Sequence, residues 1–105
     1  MKPNNSLIPD LVKEEIMKID PHAEVVLFGS RARGDFNFES DWDFLILLSI
    51  PVNFETQKLI WDRLYDIELE SEQMITSLIE EKSEWRKYID TPLYENIETQ
   101  GITIS

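Results

Sequence analysis

The fold of this chain is decided by the stretch Gly29-Ser30-Arg31-Ala32-Arg33-Gly34 and by Asp41-Trp42-Asp43, which begins seven residues after the last glycine. The apolar run Phe44-Leu45-Ile46-Leu47-Leu48 follows at once and predicts a buried strand. A glycine directly after a strand permits close backbone approach, and a serine beside it offers a hydroxyl and an N–H group to an anion. The sequence therefore predicts a phosphate-holding turn next to two carboxylates, a combination that indicates nucleotide chemistry.

The two aspartates, Asp41 and Asp43, are two residues apart at the start of the strand predicted over residues 41–49. Strand periodicity sends both side chains to one face, about 6 to 7 Å apart along the chain. Mg²⁺ prefers oxygen ligands and keeps open positions for water and substrate phosphates. Two such ions about 4 Å apart can clamp the attacking and leaving oxygens of phosphoryl transfer. The competing interpretation is a solvated pair at a strand entrance, and the neighbouring glycine-serine turn favours the metal site.

The glycine-serine turn also has a purely structural interpretation, in which Ser30 caps the short helix that follows it. The two arginines of the turn are two residues apart and so diverge on a helical segment. Arg33 is predicted to approach phosphate, whereas Arg31 is predicted to pair with an acidic side chain or to face water. Each arginine has the alternative of being an ordinary surface charge. His22, which has no visible partner in the sequence, is assigned no role.

Helical and strand periodicities alternate along the chain and predict an α/β fold with a small, mixed central sheet flanked by helices. The predicted helices cover residues 8–19 and 54–68 and two short segments after residue 83, and the predicted strands cover residues 23–28, 41–49, 73–79 and 102–104. Trp42, Phe44 and Ile46 are assigned to the core, opposite the aspartates. Trp61, Tyr65 and Trp85 are likewise interpreted as packing residues. We expect a single domain over residues 1–105.

The amino-acid composition limits the possible functions as strongly as the sequence motifs do. The chain carries 21 acidic and 10 basic residues, for a net charge of −11, and it contains no cysteine. Because nonspecific nucleic-acid binding depends on neutralising phosphates, long DNA or RNA is not an expected partner. No apolar run approaches the roughly 18 residues of a membrane span. We therefore expect a soluble, cytoplasmic protein that acts on a small nucleotide.

The glycine-serine turn, the loop and Ser40-Asp41-Trp42-Asp43 resemble the signature of the DNA polymerase β-like nucleotidyltransferase superfamily, in its minimal single-domain branch. The resemblance implies transfer of a nucleoside monophosphate, with ATP as the expected donor of AMP, to an acceptor hydroxyl. By this resemblance Asp41 and Asp43 are catalytic and hold Mg²⁺, usually two ions. Gly29 and Ser30 bind the triphosphate, and Arg33 is a supporting phosphate contact.

The same resemblance implies a partner, because minimal members are similar to antitoxins that adenylylate a small helical HEPN-type protein. A homodimer is also compatible with so small a domain. One feature departs from the family: its third carboxylate stands on the next strand, where this chain has Thr76 or Ser77. Glu68, Glu70 or Glu72 could supply that oxygen, although they also fit a solvated acidic edge. The alternative function is therefore a catalytically impaired module that binds a nucleotide or a partner.

Overall fold

A computed structural model describes residues 7–104 as one layered α/β unit, which confirms the predicted fold class. The helices are α1 (Ile8–Ile19), α2 (Ser30–Arg33), α3 (Phe54–Ser71), α4 (Lys82–Trp85) and α5 (Pro92–Gln100), with a 3₁₀ turn at Arg86–Tyr88. The strands are β1 (Glu24–Phe28), β2 (Trp42–Leu48), β3 (Ile75–Glu81) and β4 (Ile102–Thr103). Among residues 7–104, no helix is both long enough and apolar enough to span a bilayer.

The sheet is mixed, with the strand order β3-β2-β1-β4. β1 runs antiparallel to β2 and to β4, whereas β2 and β3 are parallel and α3 forms the crossover between them. The register sets Phe28 opposite Asp43, and Asp43 opposite Thr76. The end of β1 and the beginnings of β2 and β3 therefore meet at one end of the sheet, where the two predicted motifs lie.

The two faces of the sheet carry separate apolar clusters. On the first face, α1 and α3 pack over alternate strand residues such as Val25, Phe44 and Ile46. On the second face, Trp85 and Ile97 pack over the strand residues that alternate with those of the first face. This second cluster comprises Val26, Leu45, Leu47, Trp85 and Ile97. Because strand side chains alternate, Asp43 shares the second face with Leu45, opposite the face that α3 covers.

The boundary between α3 and β3 differs from the sequence prediction. α3 continues to Ser71, and β3 runs from Ile75 to Glu81 instead of over residues 73–79. The helix ends at Glu72, which adopts a left-handed conformation with φ of 58° and donates its N–H to the Glu68 carbonyl at 2.8 Å. Such a conformation is uncommon for a residue with a side chain. Residue propensities therefore did not predict that α3 ends at Glu72.

The prediction that Trp61 and Tyr65 pack in the core is wrong. Both side chains are exposed, by 46% and 58%, whereas Trp85 is buried as expected. Each helical residue is turned about 100° from the one before it. Because Ile60 and Leu64 point directly at the sheet, the residues that follow them are turned towards the surface.

A buried carboxylate joins the end of α1 to the end of β2. Asp20 is 1% exposed and accepts hydrogen bonds from the Ser49 N–H at 2.7 Å, the Ser49 hydroxyl at 2.7 Å and the His22 N–H at 3.0 Å. Burial alone would raise the pKa of Asp20, but the bonds from Ser49 and His22 outweigh it and hold that pKa below its ordinary value. Asp20 is thus a structural acid that sequence inspection did not single out.

Candidate active site

Gly29 and Asp43 are in close contact at the end of β1. Gly29 has φ of 74° and ψ of −159°, a conformation that side chains rarely permit. A Cβ atom built on Gly29 would overlap Oδ2 of Asp43. The position therefore needs glycine for its backbone conformation and also for the space that the carboxylate occupies.

The turn after Gly29 is the short helix α2. Ala32 and Arg33 both donate their N–H groups to the Gly29 carbonyl at 3.1 Å, and Gly34 closes the turn in a left-handed conformation by donating to Ser30 at 2.9 Å. The N-cap residue is Gly29, and no side chain caps the helix. The alternative in which Ser30 serves as the cap is therefore wrong, and the serine stands at the first helical position beside Gly29.

The two carboxylates, Asp41 and Asp43, differ in their surroundings. Asp41 precedes β2 and is exposed, and its Oδ2 lies 3.5 Å from the Thr76 hydroxyl. Asp43 is partly buried. Burial raises the pKa of Asp43, and the negative charge of Asp41 raises it further, while the positive charge of Arg33 opposes both effects. The ionised form of such a carboxyl group is stabilised by any cation that enters the site.

In the part of the chain that the structure describes, no third carboxylate joins this pair. Thr76 stands opposite Asp43 in the register, so a neutral hydroxyl occupies the place beside the aspartates. Glu68 and Glu70 lie on α3, which covers the other face of the sheet, and Glu72 ends that helix. Within residues 7–104, no group of three or more histidine, aspartate or glutamate side chains is arranged to hold a metal ion.

The two arginines of the turn have separate environments. Arg33 is exposed, and its Nε lies 3.4 Å from Oδ2 of Asp35. Its positive charge also acts to lower the pKa of Asp43. An exposed side chain with a weak ion pair can turn towards a bound phosphate at little cost.

The expectation for Arg31, an acidic partner or solvent, is wrong. Arg31 is 8% exposed, and its guanidinium lies 4.3 Å from the Trp42 ring centroid and 4.7 Å from the Phe36 ring centroid. It donates to the Ser40 carbonyl at 3.0 and 3.3 Å and to Oε1 of Gln73 at 3.3 Å. Burial lowers the pKa of this arginine. Arg31 thus fastens the loop that leads into the aspartates.

The residues present fit a hard divalent cation. Two neighbouring carboxylates supply oxygen ligands, and burial together with their mutual repulsion leaves negative charge at Asp43 that the fold compensates only in part through Arg33. Mg²⁺ commonly takes one or two protein carboxylates and completes its shell with water and substrate phosphates. Asp41 and Asp43 are the residues that would hold such an ion.

Comparison with known proteins identifies the family. Residues 10–99 match the family described as the nucleotidyltransferase domain. The chain belongs to the nucleotidyltransferase family. A protein of Methanocaldococcus jannaschii that is named as a protein adenylyltransferase is 35% identical over 100 residues, which cover 88% of this chain and 90% of that protein. This nucleotidyltransferase is accordingly an enzyme of the transferase class.

Solved structures share the fold of this nucleotidyltransferase. A toxin-antitoxin structure with AMP-PNP has a TM-score of 0.67 at 18% identity, over 92% of this chain and 72% of that one. A mutant form of the toxin-antitoxin MntA-HpeT has a TM-score of 0.60 at 19% identity, over 99% and 73%. A nucleotidyltransferase described from Sulfolobus solfataricus has a TM-score of 0.50 at 22% identity, over 91% and 78%. At these identities the likeness establishes the fold.

Proposed function

We propose that this nucleotidyltransferase transfers AMP from ATP, in a Mg²⁺-dependent reaction, to a hydroxyl group of a partner protein. The observation that carries the proposal is the contact between Gly29 and the Asp43 carboxylate, which joins the phosphate-binding turn to the metal-binding pair. The relative named as a protein adenylyltransferase supports AMP as the group transferred. The fold neighbour with AMP-PNP supports an adenine nucleotide as the substrate.

In this reaction the acceptor oxygen bonds to the α-phosphorus, the bond from that phosphorus to the bridging oxygen breaks, and pyrophosphate leaves. Bound Mg²⁺ would neutralise phosphate charge. Asp41 and Asp43 would hold the cation, while Gly29 and Ser30 would bind the triphosphate through backbone and hydroxyl groups. Arg33 adds a cationic contact to phosphate. No side chain within residues 7–104 is assigned as the base, so the acceptor proton passes to solvent water.

A protein acceptor suits the charge of the chain. A net charge of −11 disfavours polyanions, whereas it does not oppose a protein that carries basic side chains. Two fold neighbours are toxin-antitoxin structures. We propose a small helical HEPN-type protein as the acceptor, with this chain acting as the antitoxin.

The direct test is transfer of label from α-³²P-ATP to the purified product of an adjacent gene for a small helical protein. Label on the partner that requires Mg²⁺ and disappears in Asp41→Ala supports the proposal. A matched variant, Asp35→Ala, removes an exposed aspartate beside the turn and should leave most of the labelling intact. A tight complex that never acquires label would overturn the catalytic proposal.

A second candidate function is binding without efficient transfer, and the neutral Thr76 beside the aspartates favours it. A general base typically contributes about 10²- to 10⁴-fold to a rate. Thr76→Asp adds a carboxylate at this position, and Thr76→Asn adds similar volume without charge. If transfer appears only in Thr76→Asp, the natural protein is a binding module. If the natural protein already transfers and Thr76→Asp changes the rate little, the catalytic function stands.

A further inference from the structure

A second apolar stripe, called here the outer stripe, runs along the exposed flank of α3 that faces β3. The inward side of the helix already contributes Ile60, Leu64 and Ile67 to the core. The outer stripe consists of exposed side chains at helical spacing, namely Phe54, Trp61, Tyr65 and Leu69. A surface helix normally presents polar residues on the face away from its core. Two apolar stripes on one helix therefore indicate that the second one is covered by something else.

A groove lies between this outer stripe and the edge of the sheet. It has a volume of about 340 Å³, and its walls include Trp61 and Tyr65 from α3 and Ile75 and Ser77 from β3. β3 is the last strand in the sheet order, so in the described part of the chain its outer edge pairs with no strand.

The charged residues that line the groove, Asp62 and Glu68, are both acidic. Two further acids of α3, Asp66 and Glu70, line a separate cleft against α1, together with Arg63. Lys58 already pairs with Asp62 at 2.9 Å, and Arg63 reaches Glu15 on α1 at 3.9 Å. Glu68 lies in the groove wall itself. The groove thus combines apolar walls with two acidic side chains, and none of the residues that line it is basic.

We propose that this groove docks an amphipathic helix of another protein, with an apolar face flanked by lysine or arginine residues. Tryptophan and tyrosine are the residue types that most often anchor protein interfaces. An apolar groove that receives the apolar face of a helix is a recurring recognition mode. A second copy of this chain fits less well, because it would bring the same acidic helix against Glu68, and juxtaposed like charges oppose association.

The groove adjoins the active site through one strand. Ile75 and Ser77 line the groove, while Thr76 between them points to the other side of the sheet and contacts Asp41. A helix docked on the groove would therefore hold its protein at the edge of the sheet beside the carboxylates. The docking surface itself contains none of the nucleotide-binding residues, and the inference does not rest on the proposed transfer reaction.

The test uses the full chain and two synthetic 18-residue helices that share one leucine face. One peptide carries lysine on its polar face and the other carries glutamate. Trp61 is the reporter, because Trp42 and Trp85 are buried and Trp61 is half-exposed. We expect the lysine peptide to shift the tryptophan emission saturably, with an affinity that falls at high salt, and the glutamate peptide to leave the emission unchanged.

Matched variants distinguish binding of the peptide in the groove from nonspecific electrostatic attraction to an acidic protein. Tyr65→Ser should weaken binding of the lysine peptide at least tenfold, whereas Phe38→Ser, which removes an exposed aromatic side chain that does not line the groove, should not. Glu68→Gln should weaken binding of the lysine peptide several-fold. Glu95→Gln on α5 removes an equal charge and should leave the affinity of the peptide unchanged. Urea denaturation of each variant checks that these surface substitutions leave the fold intact.

Three results would overturn the proposal. The first is equal binding of both peptides, or no binding of either. The second is a lysine peptide that binds Tyr65→Ser as tightly as the natural chain, because the attraction would then be nonspecific. The third is a dimer in sedimentation equilibrium that Tyr65→Ser dissociates, which would make a second copy the occupant. None of these measurements includes a nucleotide, so failure here is distinguishable from failure of the transfer reaction.

Discussion

Two carboxylates near opposite ends of β2, Asp20 and Asp43, show how one fold can shift the pKa of two aspartates in opposite directions. Asp20 is buried at the corner between α1 and β2 and accepts three hydrogen bonds, from Ser49 twice and from His22 once. Asp43 is partly buried beside Asp41, which carries the same charge. The pKa of Asp20 is lowered and the pKa of Asp43 is raised.

The difference lies in where each charge is compensated. The donors that stabilise the Asp20 carboxylate belong to the fold itself, so its ionised form contributes to stability. Asp43 is desolvated and repelled by its neighbour, so its ionised form costs stability until an external cation arrives. Shifted pKa values of this second kind are typical of functional sites. The comparison predicts that substitutions at the two positions affect different properties.

The largest effect is expected from Asp43→Asn on nucleotidyl transfer. Removing a group that organises transition-state charge typically costs about 10²- to 10³-fold in rate. We expect a loss of that size in the initial rate of label transfer from α-³²P-ATP, with a native circular dichroism spectrum. A variant that retains more than a third of the rate would contradict the assignment of Asp43.

The next effect is expected from Asp20→Ala on stability. The substitution leaves two N–H groups and one hydroxyl without their acceptor, and each buried unsatisfied group costs about 1 to 3 kcal/mol. Because the site can relax and admit water, we expect the free energy of unfolding to fall by about 2 to 4 kcal/mol in urea titrations. Transfer per folded molecule should be unchanged. An unfolding free energy equal to that of the natural chain would refute the structural role.

The two positions should also differ in the sign of their pH dependence. The pKa of Asp20 is lower in the folded state than the ordinary value of 3.8. Its contribution to stability is therefore present above that ordinary value and is lost as the pH falls towards the lowered one. Urea midpoints measured from pH 7 to pH 3 should decline less steeply in Asp20→Asn than in the natural chain. Parallel curves would show that Asp20 does not act through its charge.

The smallest effect is expected from Asp43→Asn on stability without Mg²⁺. The raised pKa means that the ionised carboxylate opposes folding at neutral pH, so asparagine should raise the urea midpoint slightly. The gain should disappear as the pH falls below the ordinary aspartate value, because the natural carboxyl is then protonated in both states. A loss of stability at pH 7 would mean that Asp43 is compensated within the fold, as Asp20 is.

The sequence was sufficient where local periodicity determines the structure. The spacing of apolar residues in α1 and β2 predicted both elements, and the strand alternation predicted that Trp42 and Phe44 face the core. The motifs themselves predicted that the glycine-serine turn lies beside the two aspartates, although the steric reason for the glycine emerged only from the structure.

The features that the sequence did not reveal depend on contacts between distant segments. Arg31 is buried between Phe36 and Trp42, and nothing in its immediate neighbours distinguishes it from Arg33. An aromatic residue before the aspartate motif, Phe36, and one inside it, Trp42, were the signal that could have indicated a stacked arginine. Asp20 was missed because its principal donor, Ser49, is 29 residues away along the chain.

Calorimetric titration with a nonhydrolysable ATP analogue tests the central claim most directly. The claim is that Asp43, unlike Asp20, belongs to a site completed by nucleotide and cation. The natural chain and Asp20→Asn should bind the analogue with the same affinity in Mg²⁺, and both should bind it much more weakly in EDTA. Asp43→Asn should lose the Mg²⁺-dependent part of the affinity. Equal, Mg²⁺-dependent binding by Asp43→Asn and the natural chain would contradict the account.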